Sequence, residues 1–177
     1  QAPGPVHLVG HSLGGITIAQ AAEAYAGLIS KLVYLTAFIP GNNESRFDVD
    51  GGGAEGSLTG KYRIFSDDKK TMTIADEGIK PTFYADCDDE TVSWVQERLC
   101  PQATVIAQTK VSTSDAGWGS IPRAYIECTE DRAIPIAQQR ACWERHPCAP
   151  VITMETSHSP FMSVPENLAE HFHRLAD

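Results

Sequence analysis

Residues 6–15, "VHLVGHSLGG", carry an apolar run into a serine held between glycines. Val6, Leu8 and Val9 lack the alternation of a half-solvated strand, and a short continuous run of this kind suits a strand buried on both faces of a parallel sheet. From Leu13 to Ala26 the chain reads "LGGITIAQAAEAYA", small or apolar except for a narrow stripe of Thr17, Gln20 and Glu23. That pattern predicts a helix packed on most sides, with Gly27 positioned to end it. Between strand and helix, Gly10-His11-Ser12-Leu13-Gly14 matches GxSxG. In this pattern small flanking residues let the backbone turn sharply and hold a serine in a strained, exposed position, the nucleophile elbow. The competing reading is a glycine-rich turn whose serine caps the helix. The preceding strand, the following helix and a further glycine at Gly15, which allows close helix packing, favour the elbow.

The 177 residues are 42% hydrophobic and 21% charged, ordinary for one globular domain, and they suffice for one substantial core. A net charge of -9 argues against nucleic acid or an anionic membrane as partner, since either selects a basic surface. The five cysteines, Cys87, Cys100, Cys128, Cys142 and Cys148, show no CxxC spacing and no histidines at zinc-site intervals, so no metal is expected. Cys87 with Cys100, or Cys142 with Cys148, would bridge in an oxidising compartment; buried free thiols are the equal alternative. The compartment is not specified.

Downstream, "KLVYLTAFI" at 31–39 is a second apolar strand, closed by Pro40 and Gly41. From Asn42 to about Ser66 the chain turns polar and glycine-rich, and Gly51-Gly52-Gly53 reads as a loop tip, because neither a preceding strand nor a GK[ST] ending makes it a phosphate cradle. "DDETVSWVQERL" at 88–99 is helical, with Val92, Val95 and Leu99 on one face and Trp94 off it. These observations divide the chain into a core at 1–40, a cap-like insertion at 41–120 and a returning core at 121–177. In the last part "RAYIECT" at 123–129 is a strand, Pro135 starts a helix running through Trp143, and Val151–Met154 is a further strand before the loop holding His158. A closing amphipathic helix presents Leu168, Phe172 and Leu175, with Ser163 and Glu166 at capping-box spacing.

Ser12, Asp131 and His158 each fall just past the C-terminal end of a strand, in the order serine, acid, histidine. A serine hydroxyl is a weak nucleophile at neutral pH; a histidine must take its proton, and a carboxylate must orient that histidine and stabilise its cation. Glu130 is the serious rival to Asp131, whereas Glu127 falls within a strand and Asp115 within the insertion. Among the other histidines, His7 lies in a strand, His146 at a helix end, and His171 and His173 on a solvated face. His11 flanks the serine in so tight a turn that local packing is its expected role.

Beyond these motifs, "VHLVGHSLGG", "KLVYLTAFIPG", "FYADCDDETVSWVQERLCPQ" and "TSHSPFMSVPENLAE" resemble the α/β-hydrolase branch that contains plant methylesterases, hydroxynitrile lyases and microbial carboxylesterases. The likeness covers nearly the whole chain. It implies an α/β-hydrolase fold, a mostly parallel sheet with flanking helices and a cap insertion. It also implies Ser12 as nucleophile, Asp131 as acid, His158 as base and the Leu13 amide as one oxyanion-hole donor. The lyases of this branch carry a lysine directly after the catalytic histidine, suited to departing cyanide; Ser159 stands here, which favours ester hydrolysis.

In such folds the elbow serine follows the fifth strand, so the resemblance predicts that this chain is the C-terminal part of a larger protein. Four strands and two helices, about 70 residues, would precede it and would supply the second oxyanion donor. The expected activity is carboxylic-ester hydrolysis through an acyl-enzyme, with no cofactor. Expected partners are a small-molecule ester and the upstream segment. Candidate pocket walls are Phe38, Ile39, Phe83, Trp118, Phe161 and Met162, for each of which plain core is the equal alternative. A receptor using the same pocket without catalysis is the rival function, and three intact catalytic residues argue against it.

Overall fold

In the computed structural model, which describes residues 4–49 and 55–176, four parallel strands form the central sheet. They are β1 (Val6–Ser12), β2 (Ile29–Ala37), β6 (Arg123–Cys128) and β7 (Val151–Met154), in the order β1-β2-β6-β7. Between β2 and β6 lies a second, antiparallel sheet of β3 (Arg63–Phe65), β4 (Thr71–Ile74) and β5 (Gln102–Ala103). The helices are α1 (Gly14–Tyr25), α2 (Thr59–Tyr62), α3 (Asp76–Phe83), α4 (Asp89–Gln96), α5 (Val105–Gln108), α6 (Ile136–Arg145), α7 (Pro160–Ser163) and α8 (Pro165–Ala176). The glycine run at 51–53 lies outside the described residues.

Strand alternation explains how the sheet is covered on both sides. In β2, Leu32 and Tyr34 face one layer while Val33 and Leu35 face the other, as successive side chains of a strand must. The first layer joins Tyr125 of β6 to Ile16, Ile18, Ala19 and Ala22 of α1. The second joins Ala124 and Ile126 to Leu168 and Leu175 of α8. Small residues on α1 permit a close approach: a Cβ on Gly15 would lie 2.1 Å from the Phe38 main-chain oxygen. Only glycine fits there.

The first strand departs from expectation. Val6 and Val9 are 39% and 41% exposed, because among the described residues β1 is an edge strand with β2 as its one neighbour. The helix around Trp94 ends at Gln96, so Leu99 leaves the buried face, while Val92 and Val95 stay on it. Its start is capped: the Asp88 carboxylate accepts a hydrogen bond from the Thr91 amide at 2.7 Å. The expected capping box at Ser163 and Glu166 does not form. Ser163 instead completes α7, and Pro165, which has no N–H to be capped, opens α8. Cys87, Cys100, Cys128 and Cys148 are free thiols. Among the described residues no helix is long and apolar enough to cross a membrane.

Candidate active site

At the end of β1 the backbone enters the left-handed region at Ser12 (φ 56°), a conformation a non-glycine residue adopts only when its surroundings impose it. The two flanking glycines do different jobs. A Cβ on Gly10 would meet Ile18 Cδ1 at 2.8 Å and the Gly14 carbonyl at 2.9 Å, so the strand and α1 close over that position. Gly14 itself has open space among the described residues, and it is Gly15 that the packing requires. The Ser12 carbonyl accepts a hydrogen bond from the Phe38 amide at 3.2 Å, fastening the elbow to the end of β2.

The carboxyl group of Asp131 sits in the turn after β6, 5% exposed, with its hydrogen-bonding capacity filled. Its Oδ1 accepts from the amides of Ala133 (2.6 Å) and Ile134 (2.9 Å); its Oδ2 accepts from the Thr36 hydroxyl and lies 2.6 Å from Nδ1 of His158. Thr36 is held at φ 34°, again left-handed, at the end of β2. Two backbone amides, a hydroxyl and the imidazole therefore converge on one buried carboxylate, an arrangement that fixes the ring it touches. Glu130 is exposed on the surface. Glu127, buried in β6, is occupied by Arg140, Trp143 and Thr153.

His158 is 2% exposed in the loop after β7, with the Phe83 ring 5.4 Å from its own. Segment 83–86, from the last residue of α3 onward, grips this loop. The Asp86 carboxylate accepts from the Ser157 amide at 3.0 Å and from the Ser157 hydroxyl; desolvation, the largest single influence, pushes its pKa up, but the hydrogen bonds, those from Ser157 foremost, together hold it below the usual carboxylate range. Asp86→Ala is expected to lower unfolding stability by about 1–2 kcal/mol in chemical denaturation, and to lower turnover more than substrate affinity.

Ser12 and His158 line one cleft of about 500 Å³ with His11, Met72, Ile79 and Tyr84. Among the described residues no hydrogen bond joins the two side chains, a contact that commonly tightens only when substrate is bound. A second cavity, about 190 Å³, shares Ser12 and Leu13 and continues past Phe38, Ile134 and Phe65. Of the expected pocket walls, Phe38 lines the smaller cavity and Phe83 lines both. Ile39 is wholly buried in the core and lines neither. Trp118 also belongs to the core, where its indole N–H donates to the Tyr34 hydroxyl at 2.9 Å. Phe161 sits edge-on to the His11 ring, and Met162 lies in α7 outside both cavities.

His11 differs most from its expected role of packing locally. Its Nε2 lies 2.8 Å from the main-chain oxygen of His158, and the two rings are 4.5 Å apart. Burial, then the neighbouring His158, pushes its pKa down from 6.5 to about 3. Between these values the unfolded chain takes up a proton that the folded chain refuses, so this group's share of stability is lost as pH falls below 6.5. The thermal midpoint is expected to drop between pH 7 and 4.5, and to drop less in His11→Gln, as calorimetry at matched pH would show.

Comparison with known proteins agrees with this architecture. Residues 1–171 match the model of the alpha/beta hydrolase family. The chain is 33% identical to Methylesterase 1 of Arabidopsis thaliana over 97% of its own length and 69% of that protein. It is 32% identical to the pyrethroid hydrolase of Sphingobium wenxiniae over its whole length and 65% of that protein. Among solved structures, the pyrethroid hydrolase from Sphingobium faniae superposes with a TM-score of 0.84 at 26% identity, over 100% of this chain and 72% of that one. Polyneuridine aldehyde esterase, at 22% identity and a TM-score of 0.82, shares the fold. With a family model matching residues 1–171 and a relative 33% identical, of which the chain covers 69%, the chain belongs to the alpha/beta hydrolase family.

Proposed function

We propose that the protein hydrolyses carboxylic esters through an acyl-enzyme formed on Ser12. The observation that carries this reading is the 2.6 Å contact between His158 Nδ1 and a buried, fully hydrogen-bonded Asp131, with Ser12 on the wall of the same cleft. In the first half-reaction Nε2 of His158 takes the Ser12 proton as Oγ attacks the ester carbonyl, and Asp131 stabilises the imidazolium so formed. The Leu13 amide, at the start of α1, donates to the oxyanion. Collapse of the tetrahedral species expels the alcohol, protonated by His158. Water then enters and gives its proton to Nε2 as its oxygen attacks the acyl carbonyl; collapse breaks the bond to Ser12 Oγ, which takes that proton back from His158, and the acid is released.

His158 lines only the larger cleft, so the departing alcohol lies on that side. The acyl group then occupies the smaller, mainly apolar cavity beside Phe38 and Ile134. A p-nitrophenyl acetate assay on the full-length protein tests the reading. Turnover abolished in Ser12→Ala is expected; turnover that survives this change contradicts it. A protein that binds esters without turning them over would instead be a receptor. Cyanide release from a cyanohydrin would restore the lyase reading that Ser159 opposes.

A further inference from the structure

We propose that His11 is a positioning residue for His158, its Nε2–H holding the main-chain carbonyl of His158 and so tying the base to the strand end that carries the nucleophile. The inference rests on the triad reading above.

The acceptor at 2.8 Å is a carbonyl oxygen, which only accepts, so Nε2 of His11 must carry the proton. His11 and Ser12 are consecutive at the end of β1, whereas His158 lies 147 residues further along. One hydrogen bond therefore connects the two catalytic elements directly, without passing through the rest of the sheet. Asp131 fixes the tilt of the His158 ring through Nδ1. Nothing in that contact fixes the backbone from which the ring projects; the bond from His11 does. Packing reinforces it: Phe161 stands edge-on to His11 at 5.0 Å, and Phe83 approaches His158 at 5.4 Å.

The choice of a neutral donor is physically consistent. During acylation His158 becomes cationic, and a second cation 4.5 Å away would oppose that change. Burial keeps His11 uncharged, so it tethers the loop without raising the energy of the imidazolium. A lysine in its place would bring the opposing charge.

Three variants of the full-length protein test the proposal. Phenylalanine keeps the ring and removes the donor; glutamine places an amide N–H near the position of Nε2; asparagine is polar but too short to reach. His11→Phe and His11→Asn are expected to lower kcat on p-nitrophenyl acetate about 10- to 100-fold with KM changed less than about threefold, since misplacement of a catalytic group on the order of an ångström acts mainly on turnover. His11→Gln is expected to recover most of that loss. In parallel, the low-field proton resonance of the His158 Nδ1–H bonded to Asp131 should persist in the parent and in His11→Gln, and broaden in the other two.

Full turnover and an unchanged resonance in His11→Phe or His11→Asn would overturn the proposal. So would a folded His11→Gln as impaired as His11→Asn, a comparison that stands even if the phenylalanine variant does not fold. Failure of the ester reading would show separately, as turnover indifferent to Ser12→Ala, while the resonance would still report on the tether.

Discussion

Replacement of Asp131 by asparagine is expected to lower kcat by about 10⁴-fold while leaving the protein folded. The side chain has nearly the same size, and its carbonyl can still accept from the Ala133 and Ile134 amides that now bond Oδ1. Its NH2 group, however, would then face Nδ1 of His158, 2.6 Å from the present Oδ2. A donor there demands a lone pair on Nδ1, which puts the proton on Nε2 and leaves the base unable to accept from Ser12. Steady-state turnover with circular dichroism on the same preparation checks this. Glu130→Gln serves as the control: this residue is exposed and is expected to change kcat less than about twofold, as surface substitutions away from a site do. A loss smaller than tenfold in Asp131→Asn would remove Asp131 from the mechanism.

Gly15→Val is expected to be the most damaging single change to the fold. Its Cβ would lie 2.1 Å from the main-chain oxygen of Phe38 and 3.1 Å from Ala37 Cβ, so neither a rotamer change nor a flexible neighbour relieves the clash. The helix must move off β2, opening the layer that Ala19 and Ala22 close. A loss of about 3–5 kcal/mol is expected, of the size seen when overpacking forces backbone apart. Such a loss is a large share of the roughly 5–15 kcal/mol that holds an ordinary domain folded. Gly14→Ala, one residue earlier, meets open space among the described residues and is expected to stay within about 1 kcal/mol of the parent, because alanine is the better helix former. Denaturant titration of both variants distinguishes a packing requirement at Gly15 from a general need for glycine in the elbow.

The two glycines show how far the motif itself reached. GxSxG names Gly10 and Gly14, whereas the close helix packing expected at Gly15, outside the motif, is where α1 meets the end of β2. The strand at 31–39 was legible because its apolar run suits burial on both sides, and β2 has it, whereas the similar run of β1 lies at the edge of the described sheet. The antiparallel sheet of β3, β4 and β5 was not. Its strands are two to four residues long, and Ile64 and Phe65 are half exposed, so they leave no periodic pattern in the chain. Ser12, Asp131 and His158 stood out because each follows a recognisable strand. The role of His11 was hidden, since its partner is a backbone oxygen and carries no residue identity. Trp118 misled for a related reason: an aromatic side chain reads equally as pocket wall or core, and the Tyr34 hydroxyl that settles the matter is 84 residues away.

The central claim is that Ser12 is the nucleophile, and covalent labelling tests it most directly. The full-length protein, treated with a fluorophosphonate and examined by intact and peptide mass spectrometry, is expected to carry one adduct, on the peptide containing Ser12, and to lose it in Ser12→Ala. Undiminished labelling of that variant, or an adduct on another residue of the native protein, would contradict the account.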